Sequence, residues 1–194
     1  GVAGYLLRGF RDGDEDAYID LMHAGGFETW NRDNLASVLK AAVPGGIVFA
    51  EHIASGRLAA TAMGWRRPTE SLPNGYEMGW VAADPVHRGK GLGQLVVTAA
   101  TRALLLHGAR HIFLLTDDWR LPAIKIYLKI GYAPLYCGPD VKRRWHNVCL
   151  TLNLNAAEFR GVELATDGQN IPANHALHTP SEPAPNAGSS AREG

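Results

Sequence analysis

The sequence predicts a single α/β domain in which helices flank a mixed β-sheet. The chain has 194 residues, of which 46% are hydrophobic and 20% are charged, a size and composition that suit one domain with a substantial core. Some segments carry short apolar runs typical of strands, whereas others place apolar residues every three or four positions, as helices do. These segments follow one another in the order β-α-α-β-β-β-α-β-α-β-β, which predicts about six or seven strands and about four helices.

The first half of the chain supplies an antiparallel part of the predicted sheet. Gly and Pro clusters separate its apolar segments, and acidic residues open its helices. The expected elements are a strand at 5–8, a helix between the start signal at 12–15 and Gly25-Gly26, a helix at 31–42 ended by 44–46, a hairpin of strands 47–50 and 58–63, and a strand at 76–83.

The second half alternates helix and strand before the composition changes. We expect a helix from Gly91, a strand buried on both faces at 111–116, a helix with Pro122 in its first turn, and two last strands around 132–137 and 145–152. Four prolines and few large apolar residues lie in 166–194, which indicates a disordered tail. We therefore predict a domain at 1–158 and a tail at 159–194.

Charge and cysteine content argue against several classes of function. Nineteen basic and 19 acidic residues balance, so no global positive field favours nucleic acid as a partner. No apolar run reaches the roughly 20 residues that span a bilayer, and no membrane partner is expected. Cys137 and Cys149 are too few for a disulfide framework and lack zinc-site spacing, so we expect free thiols, a cytoplasmic location and no metal.

Residues 88–93 read RGKGLG, between a predicted strand and a predicted helix. The first N–H groups of a helix lack intrahelical partners, and glycines let an anion approach the backbone closely. Arg88 and Lys90 add positive charge, so this turn suits a phosphate group. The spacing GxGxG matches neither the dinucleotide fingerprint nor the Walker pattern, and the glycines alone leave a purely structural turn as an alternative.

Two motifs together resemble the GNAT N-acetyltransferases. Arg88-x-x-Gly91-x-Gly93 is similar to the Q/R-x-x-G-x-G/A signature of that family and follows the strand segment Val81-Ala82-Ala83-Asp84-Pro85. Farther on, the run from Ala123 to Tyr132, AIKIYLKIGY, resembles the family's A-x-x-x-Y-x-K-x-G-F/Y helix. The resemblance covers about residues 5–152 and implies the GNAT acyl-CoA N-acyltransferase fold.

The resemblance implies acetyl-CoA as the co-substrate, without a metal. It places the cofactor in a cleft between two splayed parallel strands, with the acetyl carbonyl near the N–H of Val81. The implied cofactor-binding residues are Val81, Ala82, Ala83, Arg88, Gly89, Lys90, Gly91, Leu92, Gly93, Gln94, Ala123 and Tyr127.

Two catalytic residues follow from the same resemblance. Tyr127 matches the family's tyrosine acid, which protonates the departing thiolate, although a core tyrosine is the alternative. Glu77 lies four residues before Val81 and takes the position of the base glutamate in some members. The alternative is that Glu77 is an exposed residue with no catalytic role and that a water chain acts as the base.

The acceptor is implied only as a primary amine of a small molecule or peptide. Phe27, Trp30, Asp117 and Tyr136 are the candidate acceptor residues, because aromatic and acidic groups suit a cationic amine; capping of the next helix is the alternative role of Asp117 and of Asp118. Arg120 departs from the asparagine of many relatives. A catalytically silent acyl-CoA sensor, or transfer of another acyl group, remains an alternative, and a homodimer is compatible with the resemblance.

Overall fold

The computed structural model describes residues 1–136, 139–158 and 161–163, and it confirms the mixed α/β class. Seven strands and five α-helices are present in these ranges. They are β1 Tyr5–Gly9, α1 Glu15–Ala24, α2 Arg32–Ala41, β2 Ala42–His52, β3 Arg57–Arg66, β4 Gly75–Ala83, α3 Leu92–Leu106, β5 His111–Phe113, α4 Leu121–Lys129, β6 Leu135–Tyr136, α5 Pro139–Leu152 and β7 Val162–Glu163.

The central sheet has five strands in the order β1-β2-β3-β4-β5. The first four strands pair antiparallel, through hairpins and the β1–β2 ladder, whereas β4 and β5 pair parallel. The parallel pair requires a crossover, and α3 supplies it. The crossover enters through a short 3-10 helix, Pro85–His87, so the sequence between β4 and α3 lies at one end of the sheet.

Helices cover both faces of this sheet and divide its core in two. On one face, α3 packs its buried side chains Val96, Val97, Ala100 and Leu104 against β2, β3 and β4. On the other face, Tyr18 and Met22 of α1 and Leu35 of α2 pack around Phe49. No helix in the described ranges is both long enough and apolar enough to cross a membrane.

Residues 145–152 form a helix, so the prediction of a strand there is wrong. The buried side chains of α5 are Val141, Trp145, Val148, Cys149 and Leu152. Their spacing of three and four residues is the helical period, and it buries this stripe against Ile124 of α4. The apolar residues of this segment are buried, as predicted, but their spacing is that of a helix and not of a strand.

The strand β5 is shorter and less buried than predicted. We expected a strand buried on both faces at 111–116, but β5 spans only His111–Phe113, its one buried residue is Phe113, and it is the edge strand of the five-stranded sheet. Residues 44–46, predicted to follow α2 as a loop, instead lie within β2, where the β2–β3 register shifts.

Only a short part of the predicted tail at 159–194 is described. Val162–Glu163 of the predicted tail pairs parallel with β6 as β7. The rest of the predicted tail, residues 159–160 and 164–194, lies outside the described residues, as does Cys137. Cys149 is a buried free thiol.

Candidate active site

The parallel strands β4 and β5 separate partway along their length. They pair at Gly75–His111, Tyr76–Ile112 and Glu77–Phe113. Beyond this point β5 has ended, whereas β4 continues to Ala83. The second half of β4 therefore has β3 on one side and no described strand on the other, which leaves a cleft at this edge.

A β-bulge lies in the unpaired half of β4. Thr61 of β3 pairs with Ala82, and Met63 pairs with Gly79, so β4 carries one extra residue between these pairs. Trp80 has a φ of 47°, a left-handed conformation that is strained for a bulky side chain. The bulge bends the strand at the cleft.

The bulge is followed by backbone groups that face the cleft. The N–H of Asp84 bonds to the carbonyl of Ala59 in β3 at 2.9 Å. Because backbone groups point to alternate sides along a regular strand, those of Ala82 also face β3, and those of Ala83 face the cleft. The side chain of Ala82 lies on the other face of the sheet, in the core that contains α1.

The glycine turn has the geometry expected of an anion site. Gly89 and Gly91 both have a φ of 78°, and a Cβ at either position would meet no atom within 4 Å. The first intrahelical bond of α3 joins the N–H of Leu95 to the carbonyl of Gly91. The N–H groups of Leu92, Gly93 and Gln94 precede it and lie at the positive end of the helix dipole.

The side chains of the turn divide between solvent and core. Arg88 and Lys90 are exposed, Gln94 is half-buried, and Leu92 is buried. A Cβ on Gly93 would lie 3.1 Å from Cδ1 of Ile126. The absence of a side chain at Gly93 therefore allows α3 to approach α4.

Tyr127 lies on the cleft side of α4. It is buried in the same cluster as Leu92, with Val81, Ala83 and Ala123 packed against that cluster. It also lines a cavity of about 450 Å³ beside β5. Burial raises the pKa of Tyr127 to about 12, and the positive charge of Arg120 opposes this shift. The phenol therefore keeps its proton at neutral pH.

Glu77 is buried at the point where β4 and β5 separate. Its side chain is 6% exposed and forms an ion pair with Arg67, whose own side chain is 44% exposed. Burial raises the pKa of Glu77, and the hydrogen bond and charge of Arg67 act in the opposite direction. A carboxylate with a raised pKa is a stronger base than an exposed one.

Two of the candidate acceptor residues meet at the bulge. The ring of Trp80 lies 5.6 Å from that of Phe27 and 6.1 Å from that of Trp30. Arg120 lies over the Phe27 ring at 5.4 Å and over the Trp119 ring at 4.6 Å. The half-buried rings of Phe27 and Trp80 thus lie beside a cation at the start of α4.

Asp117 joins this group through Arg120. Its carboxylate accepts a hydrogen bond from Nε of Arg120 at 2.9 Å. Asp118 instead accepts two hydrogen bonds from Arg144 of α5, at 2.6 and 2.8 Å. Arg120 is the N-cap residue of α4 and no side chain caps the helix, so the alternative capping role for these acids is wrong.

Tyr136 lies in a different part of the molecule. It belongs to β6 and packs with the cluster between α4 and α5 that contains Ile124 and Trp145. Lys142 lies 5.5 Å from its ring.

Sequence reasoning missed Trp80 and Arg67 as neighbours of the site. The left-handed Trp80 depends on a one-residue difference between paired strands, which no local pattern reveals. Arg67 could have been found from charge complementarity, because β3 and β4 form a hairpin with Arg66 opposite Tyr76, which puts Arg67 and Glu77 near one another. In the sequence, Arg120 is recognisable only as a departure from a family pattern, and its contact with Phe27 is not predicted.

The comparison with protein families agrees with this geometry. The sequence model of the acetyltransferase (GNAT) family matches residues 13–132, which include the cleft, the glycine turn and Tyr127. The chain belongs to the GNAT acetyltransferase family. No match to this chain is found among curated proteins.

Solved structures of acetyltransferases share the fold. A GNAT family acetyltransferase from Brucella melitensis in complex with acetyl-CoA is 21% identical, with a TM-score of 0.53 over 70% of this chain and 89% of that chain. Diaminobutyrate acetyltransferase from Paenibacillus lautus, solved with its substrate and coenzyme A, is 19% identical, with a TM-score of 0.54 over 66% and 75%. Glucosamine-6-phosphate N-acetyltransferase from Arabidopsis thaliana is 20% identical, with a TM-score of 0.51 over 66% and 91%.

Proposed function

We propose that this protein transfers an acetyl group from acetyl-CoA to the primary amine of a small molecule or peptide. The observation that carries the proposal is the separation of β4 from β5 beside the glycine turn. An open strand edge presents backbone groups to the amides of an extended ligand, while a helix N-terminus presents N–H groups to its phosphates. Membership of the family makes acetyl-CoA the ligand that we expect there.

In this proposal, the N–H of Val81, the Tyr127 hydroxyl and the Glu77 carboxylate assist attack of the amine on the thioester. The N–H of Val81 donates to the acetyl carbonyl oxygen as negative charge develops on it. The Tyr127 hydroxyl donates its proton to the departing thiolate; its pKa of about 12 keeps that proton available. The bond from carbonyl carbon to sulfur breaks as the bond from carbon to the amine nitrogen forms, and the second proton that the nitrogen loses on becoming an amide returns to the Tyr127 oxygen, directly or through water.

Glu77 is proposed to accept the proton that the ammonium must lose before attack. Four residues separate Glu77 from Val81, about 13 Å along an extended strand at about 3.3 Å per residue. This distance favours transfer through water molecules over direct contact. Arg67 would hold the carboxylate in place while its raised pKa makes it a better proton acceptor.

The acceptor is proposed to lie on the aromatic side of the bulge. The Trp80 ring beside Phe27 suits a cationic amine, whereas the Phe27 face and the Asp117 carboxylate are already engaged by Arg120. Two of the structural relatives are named for small-molecule acceptors, diaminobutyrate and glucosamine-6-phosphate. These names support beginning the search with small amines.

The proposal is tested by titrating acetyl-CoA into the protein calorimetrically and then measuring thiol release with amino acids, amino sugars, polyamines and short peptides. We expect binding, and turnover with one class of amine. Absence of binding would contradict the proposed function. Binding without turnover across the panel would favour the acyl-CoA sensor.

Replacing Tyr127 with Phe separates an enzyme from a sensor. We expect kcat to fall by about 100-fold or more, as when a general acid is lost, with little change in acetyl-CoA affinity. Tyr132→Phe is the matched control, because the Tyr132 ring lies 6.2 Å away and burial also raises its pKa to about 12. Equal rates in the two variants would exclude Tyr127 as the acid.

A further inference from the structure

Two histidines and a tyrosine lie against the outer side of the glycine turn. The ring centroids of His52 and His87 are 5.0 Å apart, and that of Tyr5 lies 5.3 Å from His52 and 5.6 Å from His87. Nζ of Lys90, within the turn, lies 5.6 Å from the centroid of the Tyr5 ring. We call Tyr5, His52, His87 and Lys90 the histidine cluster.

Three segments of the chain build this cluster: β1, the end of β2, and the connection from β4 to α3. Tyr5 opens β1 and pairs with His52 at the end of β2, which in turn pairs with Arg57 at the start of β3. His87 ends the 3-10 helix before the glycine turn. The cluster therefore depends on tertiary structure and occupies the same end of the sheet as the turn.

Both histidine rings are held through one nitrogen. Nδ1 of His87 bonds to the Tyr5 hydroxyl at 2.6 Å, and Nδ1 of His52 bonds to Oγ of Ser55 at 2.9 Å. In each ring Nε2 is then the nitrogen available to a ligand, and both residues are half-buried with part of their surface open.

The charges around the cluster are predominantly positive. Lys90 and Arg57 are exposed cations. The two nearby acids have other partners: Asp84 accepts the N–H of Val86 at 2.9 Å, and Glu51 pairs with Arg8. A cluster of this kind is suited to an anion with several acceptor oxygens.

We propose that the histidine cluster binds a phosphate monoester, and that this group is the 3′-phosphate of coenzyme A. The inference rests on the proposed function, because it requires the diphosphate of the same molecule to occupy the adjacent glycine turn. Nε2 of His52 and of His87, together with Nζ of Lys90, would donate to the phosphate oxygens. The cluster would thereby distinguish coenzyme A from its 3′-dephospho form.

Protonation should strengthen this recognition. Partial burial lowers the pKa of His87, with Lys90, Arg57 and His52 also lowering it and Asp84 opposing them. A neighbouring phosphate dianion stabilises the protonated ring, so phosphate binding should take up protons. The preference for the 3′-phosphate should therefore grow as the pH falls toward the phosphate's own second pKa of about 6.

The test compares acetyl-CoA with acetyl-3′-dephospho-CoA by calorimetry at about pH 6.5, near the ordinary histidine pKa, and at about pH 8, well above it. The proteins are the unchanged chain, the double variant His52→Gln/His87→Gln, and His146→Gln. His146 is an exposed histidine on α5 and serves as the matched control. Inorganic phosphate is titrated separately.

We expect the unchanged chain and His146→Gln to bind acetyl-CoA about tenfold more tightly than the dephospho form at the lower pH. This ratio corresponds to a difference of about 1.4 kcal/mol in binding free energy. The double variant should lose most of this preference while its affinity for the dephospho form stays the same. Circular dichroism and a thermal transition verify that the variants fold.

Three outcomes would overturn the inference. A preference that survives in the double variant would locate the 3′-phosphate elsewhere. Equal binding of both ligands, combined with histidine-dependent binding of inorganic phosphate, would make the cluster a site for free phosphate. Failure of both ligands to bind would refute the proposed function and the inference with it, whereas equal binding of both ligands leaves the proposed function standing.

Discussion

Glu77 is the residue whose surroundings determine its chemistry most directly. It lies on a strand, 6% exposed, with Arg67 as its ion-pair partner. Burial favours the protonated carboxyl and Arg67 favours the carboxylate, and the balance raises the pKa of Glu77. If Glu77 is the base, this balance sets the pH at which the enzyme begins to work.

Replacing Arg67 with Ala should move the acidic limb of the pH–rate profile upward. A base acts when deprotonated, so kcat/KM falls as the pH drops through the pKa of Glu77, and this pKa rises further when Arg67 no longer lowers it. The measurement is kcat/KM against pH. Arg66→Ala, one residue earlier and exposed, should leave the limb in place.

Glu77→Gln completes this test, because it should remove the limb assigned to Glu77 and lower kcat/KM at neutral pH by about 100-fold or more. An acidic limb that is the same in all three variants would show that another group, or water alone, accepts the proton.

At the scale of elements, the glycine turn is an entry to α3 with a left-handed residue at its N-cap. Gly91 occupies that position with a φ of 78°, and the space beside it is open. The turn therefore uses glycine for its backbone conformation as well as for close approach of an anion.

Gly91→Glu should reduce acetyl-CoA affinity by about 100-fold or more, because its carboxylate would face the phosphates. Gly108→Glu at the other end of α3 is the matched control: Gly108 is also exposed, with a φ of 82° and open space around it. Both variants carry the same backbone strain and charge. Equal affinity in the two, measured by calorimetry, would refute the anion site at the turn.

The helix α5 can be verified by the periodicity of its mutational effects. Val148 is buried in the helix and Asn147 is exposed. We expect Val148→Ala to lower the free energy of unfolding by about 2 kcal/mol and Asn147→Ala to change it by less than about 0.5 kcal/mol. A strand would put Asn147 on the same face as the buried Trp145, so urea unfolding that finds the larger loss at Asn147 would contradict the helix.

At the scale of the whole molecule, one glycine controls how closely a helix layer approaches the sheet. Gly25 ends α1, and a Cβ there would lie 2.6 Å from Cβ of Ala82 and 3.2 Å from its Cα. The φ of Gly25 is −77°, an ordinary value for any residue. Glycine is required here only because α1 contacts β4 at the cleft.

Gly25→Ala should therefore destabilise the fold by about 1–3 kcal/mol through overpacking, and it should weaken acetyl-CoA binding because β4 carries the open edge. The measurements are urea unfolding and calorimetry. Gly9→Ala is the control, since the added Cβ would meet only the carbonyl oxygen of Ile47 at an ordinary 3.7 Å. Similar stability of the two variants would show that the layers can separate without cost.

Local patterns were sufficient for most of the fold. Alternation and apolar runs predicted β1 to β4, the stripe after Gly91 predicted α3, and Pro122 and Gly131 marked the ends of α4. The glycine spacing and the AIKIYLKIGY segment indicated the family, which the comparison confirms. These features depend on residues close in the chain, whose spacing directly indicates the local secondary structure.

The sequence by itself determined the class of fold, the family and the glycine turn, because short-range backbone preferences and motif spacing specify them. Only the tertiary structure determined the helix at α5, the edge position of β5, the Arg67–Glu77 pair, the left-handed Trp80 beside Phe27, and the histidine cluster. Each of these depends on which distant segments pack together. An apolar run is compatible with helix or strand until its partner is present, and a bulge exists only in relation to the strand beside it.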